Sequence, residues 1–260
     1  MKIAISGKGG VGKTTLSAGL INAYAITGYK ILAVDADSDG NLAEAIGLPQ
    51  ELIQNITPII RMKELIYERT GMAKDTDGFF KLNPKVDDLL DRFGVMFNNI
   101  RFLAIGGIDR GASGCMCPAN TLLKSLMQYI LMNNRYDMVI LDMEAGIEHM
   151  GRATACFVDA FIVVVEPGQR SIQTAKNIQI LAKDIGVNNI MIVANKVRND
   201  KDNEIIVNSL PDTKMLGYIS YNEELIDMDL MKKDDISKRF MDEIYMIKDA
   251  LNEAIPGLAD

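Results

Sequence analysis

The stretch Gly7-Lys8-Gly9-Gly10-Val11-Gly12-Lys13-Thr14-Thr15 decides the fold. Residues 7–14 fit the pattern G-x-x-x-x-G-K-[ST]. Its glycines let the backbone wrap phosphate groups with N–H groups turned inward, and the helix that follows presents its positive end. In that pattern Lys13 reaches the β- and γ-phosphates and the Thr14 hydroxyl ligates Mg²⁺. Residues 2–6 before the loop read as a strand and residues 14–27 after it as a helix, the setting this loop requires. The stretch therefore predicts binding of ATP with magnesium.

Outward from the loop, short aliphatic runs recur at residues 31–34, 100–105, 138–141, 160–165 and 190–194. Each is too apolar to have a wet face. Such runs, separated by helical stretches, predict a mostly parallel central sheet covered by helices on both faces. The helix over residues 171–185 places Ile172, Ala175, Ile178 and Leu181 at helical spacing. Near the end of the chain Phe240, Ile244, Ile247, Leu251 and Ile255 share one face of a docking helix whose other face is mostly acidic. Residues 50–100 are irregular and read as helices over one end of the sheet. No Pro/Gly/Ser-rich linker or repeat divides the chain, so the expectation is a single α/β P-loop domain over residues 1–260.

The chain is 48% apolar and 24% charged, ordinary for a globular protein, with a net charge of −7 and no basic run. Phosphate backbones need clustered Lys and Arg, so nucleic acid is not an expected partner. No apolar run is long enough to span a bilayer, and residues 1–6 lead into the loop without the apolar core of a signal peptide. The expectation is a cytoplasmic protein with no membrane partner.

Two of the strands end in aspartate, at Asp35 and Asp142. The carboxyl ends of parallel strands are where an open α/β sheet binds its ligand, so both carboxylates should face the phosphates and hold the magnesium waters. Asp37 lies two residues beyond Asp35 and is placed to orient or deprotonate an attacking water. Asn41 reads as the cap of a helix beginning at Leu42.

These residues resemble the deviant-Walker ATPases, the family of the MinD-like cell-division and ParA-like plasmid-partition ATPases, the nitrogenase iron protein and several metallochaperones. The mark is the extra lysine early in the loop, Lys8. The resemblance implies that Lys8 contacts the partner subunit's nucleotide in an ATP-sandwich homodimer, acting there with Lys13 and Asp37. It also implies that Asn195-Lys196 is an adenine-contacting segment, and that Gly217-Tyr218-Ile219-Ser220-Tyr221 is a late strand and loop. Cys115-Met116-Cys117 and the run from Asp142 through Glu144, Ala145, Gly146 and His149 to Arg152 are similar to the CO-dehydrogenase maturation (CooC-like) branch, including relatives that serve acetyl-CoA synthase. That branch is linked to nickel insertion.

Cys117 precedes Pro118, a residue favoured at the first position of a helix that would continue through Leu122, Leu123, Leu126 and Ile130. Near a helix start the thiolate is favoured, and thiolate is the form that binds metal. One Cys-x-Cys pair supplies two sulfur ligands, whereas Zn²⁺ prefers four and Ni²⁺ accepts four. A two-fold dimer supplies the second pair, so Cys115 and Cys117 are expected to bind nickel or zinc across the seam. Cys156 reads as packing, and His149 as part of the switch after Asp142 or, as the second reading, an auxiliary metal contact.

The leading expectation is an ATP-dependent nickel chaperone for CO dehydrogenase or acetyl-CoA synthase. An ATP-gated electron carrier with an Fe–S cluster at the seam is the alternative. It is weakened because His149 stands where the nitrogenase iron protein has a cluster cysteine. An ATP-driven positioning or partition switch comes third, since residues 239–260 are net acidic rather than basic.

Overall fold

A computed structural model describes residues 1–72, 80–107, 118–144, 157–187, 189–222 and 238–255. Its centre is an eight-stranded sheet in the order β3-β4-β2-β5-β1-β6-β7-β8. The strands are β1 (Lys2–Gly7), β2 (Ile31–Ala36), β3 (Val95–Phe97), β4 (Ile100–Ala104), β5 (Met138–Met143), β6 (Ala160–Val165), β7 (Ile190–Val197) and β8 (Lys214–Ser220). All pairings are parallel except that of β3 with β4. Strands β2, β5 and β6 are buried at every position, which is why their sequences read as unbroken aliphatic runs rather than alternating ones.

The two faces carry separate apolar layers. On one lie α1 (Lys13–Ile26), α2 (Leu42–Ala45) and the last described helix, α9 (Lys238–Ala254). The other face is covered by α4 (Lys63–Thr70), α6 (Pro118–Met132), α7 (Gln169–Asp184) and α8 (Asp200–Ser209). Helix α9 buries Phe240, Ile244, Ile247 and Leu251 against α1 and β8. Each such side chain contributes about 1.5–3 kcal/mol of transfer free energy, before the entropy of ordering the helix is subtracted. In α6 the expected residues Leu122, Leu123, Leu126 and Ile130 are all buried, and the helix starts at Pro118.

Residues 50–100 hold α3 (Gln50–Ile53), a 3-10 turn at Ile59–Arg61, α4, and α5 (Leu89–Phe93). They also contribute β3, an edge strand that the sequence reading did not anticipate. It has three half-exposed or exposed residues, too short for any period to show. In α7, Ile172, Ala175 and Ile178 are buried as expected, but Leu181 is 46% exposed and Ala182 takes the inward position. Among the described residues, no helix is long and apolar enough to cross a membrane.

Candidate functional site

Strand β1 lies between β5 and β6, and the chain leaves it in the direction of β2, on the far side of β5. A ligand crevice opens outside the carboxyl ends of strands at such a switch point, and the phosphate loop begins there. Helix α1 starts at Lys13 directly after Gly12, whose φ is +95°. A side chain at Gly12 would be strained by that conformation, and its Cβ would lie 2.0 Å from Asn195 Nδ2. The loop therefore feeds a helix N-terminus whose N–H groups are free of side-chain caps, as anion binding demands.

On the β2–β5 flank, Asp35 and Asp142 are directly paired across the sheet. Both are 1% exposed. Burial pushes the Asp35 carboxyl up to about 6, against the backbone hydrogen bonds it accepts. Burial likewise pushes Asp142 up to about 7, with the neighbouring Asp35 charge adding to it and hydrogen bonds from Thr14 and Ser17 opposing it. Ser17 Oγ donates to Asp142 Oδ1 at 3.0 Å. Asp142 Oδ2 is buried with no donor. An orphaned carboxylate oxygen beside Thr14 suits a hydrated Mg²⁺, whose charge would also remove the cost of ionising the pair.

Asp35 is committed differently from the expectation. Its Oδ1 accepts the Asp37 N–H at 3.1 Å and its Oδ2 the Leu42 N–H at 3.1 Å. The start of α2 is thus capped by Asp35, and Asn41 makes no capping bond through its side chain. The backbone of Asn41 is already helical, with φ −96° and ψ −1°, rather than in the extended conformation from which an N-cap side chain reaches the second or third amide of the helix. Asp37 turns toward the loop, with Lys13 Nζ 3.8 Å from its Oδ2. Lys13 is 7% exposed. The cation meant for phosphate therefore rests against the candidate water-orienting carboxylate.

The chain beyond β4 joins this flank. Ile105 and Gly106 donate backbone N–H groups to the Asp35 carbonyl at 2.8 and 3.2 Å. A Cβ on Gly107 would lie 2.7 Å from Glu144 Oε2 and 2.8 Å from the Ser38 nitrogen, so only glycine fits where β2, β4 and β5 release the chain. The Glu144 carbonyl accepts the Ser6 hydroxyl at 3.3 Å, tying β5 to β1.

The β6–β7 flank is built from cations and amides. Asn195 Nδ2 donates to the Val11 carbonyl at 2.7 Å and Lys196 Nζ to the Gly10 carbonyl at 2.7 Å. Glu166 follows β6 directly and receives Lys8 Nζ on Oε1 and Lys196 Nζ on Oε2, each at 3.2 Å. Burial would raise the Glu166 carboxyl, but the two ammonium groups hold it below the ordinary range. Glu166 was missed in the sequence, although it stands one residue past a strand just as Asp35 and Asp142 stand at the ends of theirs. That strand-end signal was available. Ser17, one turn beyond Lys13, is the other overlooked member.

Gly7, Lys8, Gly9, Gly10, Val11, Gly12, Lys13, Thr14, Thr15, Asp35, Asp37, Asp142 and Asn195 thus all lie at the carboxyl ends of the interior strands or in the loop and helix start that follow β1. Cys115, Cys117, His149 and Cys156 lie outside the described residues. Among the described residues no group of three or more His, Cys, Asp or Glu could hold a metal ion.

The family described as the CobQ/CobB/MinD/ParA nucleotide binding domain (CbiA) matches residues 2–235. The chain belongs to this family. It is an ATPase of the MinD/ParA type. It is 40% identical over 257 residues to the carbon monoxide dehydrogenase accessory protein CooC of Rhodospirillum rubrum, covering 98% of this chain and 97% of that one. It is 42% identical over 237 residues to an uncharacterized ATP-binding protein of Methanocaldococcus jannaschii, covering 90% of each. The fold matches the MinC:MinD cell division protein complex of Aquifex aeolicus with a TM-score of 0.65 and 22% identity, over 98% of both chains. The parallel sheet with helices on both faces is thus the MinD/ParA-type P-loop fold.

Proposed function

We propose that this MinD/ParA-type ATPase is a maturation factor for CO dehydrogenase or acetyl-CoA synthase, delivering nickel under the control of ATP. The observation that carries the reading is the near full-length similarity to CooC, in a chain that also has Cys115 and Cys117 beside the predicted start of α6. Nickel here is cargo. Two chains related by a two-fold axis would offer four thiolates, a set that suits Ni²⁺ or Zn²⁺. Lys8 would reach the nucleotide of the other subunit, so that ATP and metal share one dimer seam.

Within the chain, Thr14 and the waters ordered by Asp142 would hold Mg²⁺, with Asp35 fixing the turn beside them. The ion would neutralise charge on the β- and γ-phosphates. Loop N–H groups and Lys13 bind the phosphates. Once Lys13 turns to them, Asp37 loses its ion-pair partner and is free to orient the attacking water. Gly107 lies close against Glu144 and Ser38, so a shift at residues 37–38 would be felt at Gly107.

Metal analysis tests the proposal. The full chain with ATP should bind about one divalent ion per two chains, the stoichiometry of a four-thiolate site on a two-fold axis. Cys115→Ala or Cys117→Ala should abolish it while ATP binding persists. Unchanged metal content in both variants would sink the proposal, and a brown protein with cluster absorption after anaerobic purification would favour the Fe–S carrier instead.

A further inference from the structure

A carbonyl and the next residue's N–H belong to one rigid peptide plane and point in opposite directions. Gripping a loop carbonyl from outside therefore turns the adjoining N–H inward. Two consecutive carbonyls of the phosphate loop are gripped in this way. Lys196 Nζ holds Gly10 C=O and Asn195 Nδ2 holds Val11 C=O, both at 2.7 Å. The first contact fixes the peptide carrying the Val11 N–H, which donates to Lys8 C=O at 3.3 Å and closes the turn. The second fixes the peptide carrying the Gly12 N–H, the last before the helix.

The backbone at Lys196 is bent to make this possible. Its φ is +58°, a left-handed conformation that L side chains rarely adopt, and the β7–β8 register slips between Ala194 and Val197. Such strain persists where the surroundings over-determine it, and it clusters at functional positions. Glu166 completes the arrangement. Its carboxylate holds Lys196 Nζ at 3.2 Å, orienting the ammonium toward the loop and balancing its charge beside Lys8.

We infer that Lys196 and Asn195 are positioning residues for ATP: they preset the phosphate loop by holding the Gly10 and Val11 carbonyls outward, with Glu166 orienting Lys196. The role concerns the ATPase itself and is independent of the metal. Because the brace acts on loop carbonyls and touches no reacting atom, it serves ground-state binding and transition state alike, and its loss raises KM while leaving kcat in place.

Lys196→Gly and Lys196→Met separate this role from a structural one. Both remove the ammonium, but glycine also relieves the left-handed strain. In the full chain, KM for ATP should rise about tenfold in both variants, the factor carried by one charge-assisted hydrogen bond, with kcat within about twofold of the parent. Affinity for a fluorescent ADP should fall in parallel. The thermal midpoint of Lys196→Gly should equal or exceed that of the parent, which a residue serving only the fold would not allow. Lys196→Arg, which keeps a cation in reach, should recover most of the KM. A KM within about twofold of the parent in both Gly and Met variants, or a fall in kcat at constant KM, would overturn the inference.

Discussion

The two flanks of the phosphate loop are built on opposite principles. On the β6–β7 side every named polar group has a partner: Asn195 and Lys196 hold loop carbonyls, and Glu166 holds Lys8 and Lys196. On the β2–β5 side two carboxylates are buried together, and one oxygen of Asp142 has no donor. One flank is complete without a ligand. The other carries an electrostatic cost that a cation would remove. The difference teaches where ligand energy goes: a preset flank gives affinity, whereas a flank with an unmet charge gives a change of state when the ligand arrives.

Removing the buried charge should break this contrast most strongly. Asp142→Asn should cut ATP hydrolysis about a hundredfold or more, as lost electrostatic positioning at a phosphate site does. The same change should raise the thermal midpoint of the nucleotide-free protein by about 2–4 °C, because it deletes a charge the fold holds at a penalty. Calorimetry beside a phosphate-release assay checks both. A lower midpoint would mean that the carboxylate is satisfied in the empty protein.

Acidity should separate the flanks next. Asp35 and Asp142 titrate near 6 and 7, above their ordinary values, so the folded state holds protons that the unfolded chain has released. Their contribution to stability is full below about 4 and is lost as pH rises through 6 to 7. Glu166 is shifted the other way, so its contribution is present above the ordinary glutamate range and is lost on acidification. Urea melts of the nucleotide-free protein between pH 5.5 and 8 should show stability falling with pH. That slope should flatten in Asp142→Asn and with saturating Mg·ADP. A slope of opposite sign in the empty protein would refute the account of the β2–β5 flank.

The smallest effect should come from Glu166→Gln. A partly exposed ion pair contributes about 0–1 kcal/mol, so chemical denaturation should register little change. A loss as large as that of a truncated core leucine would show that this flank supports the fold rather than the loop.

Much of this was legible in the sequence, for identifiable reasons. Strands buried on both faces give unbroken runs, and β2, β5 and β6 were found by them. The loop motif and the strand-end rule located Lys13, Thr14, Asp35 and Asp142. Short-range patterns failed where a partner distant in sequence decides the outcome. Asn41 has the right side chain for a cap, but its backbone is held in helical conformation and the first amide of the helix goes to Asp35 instead. Lys196 carries no local signal for its left-handed backbone, because what holds it there is a carbonyl at Gly10 and a carboxylate at Glu166. Strand β3 has only three residues and no dry face to impose a period.

The strand order has a consequence in time. The phosphate loop leaves the first strand of the chain, yet that strand is seated between β5 and β6, and the loop itself is held from β7. A chain growing from its N-terminus on the ribosome thus carries the nucleotide motif long before it has a nucleotide site. Full affinity for ATP comes only when residues 195–196 have emerged and β7 has joined the sheet, so tight nucleotide capture reports that most of the sheet has already assembled.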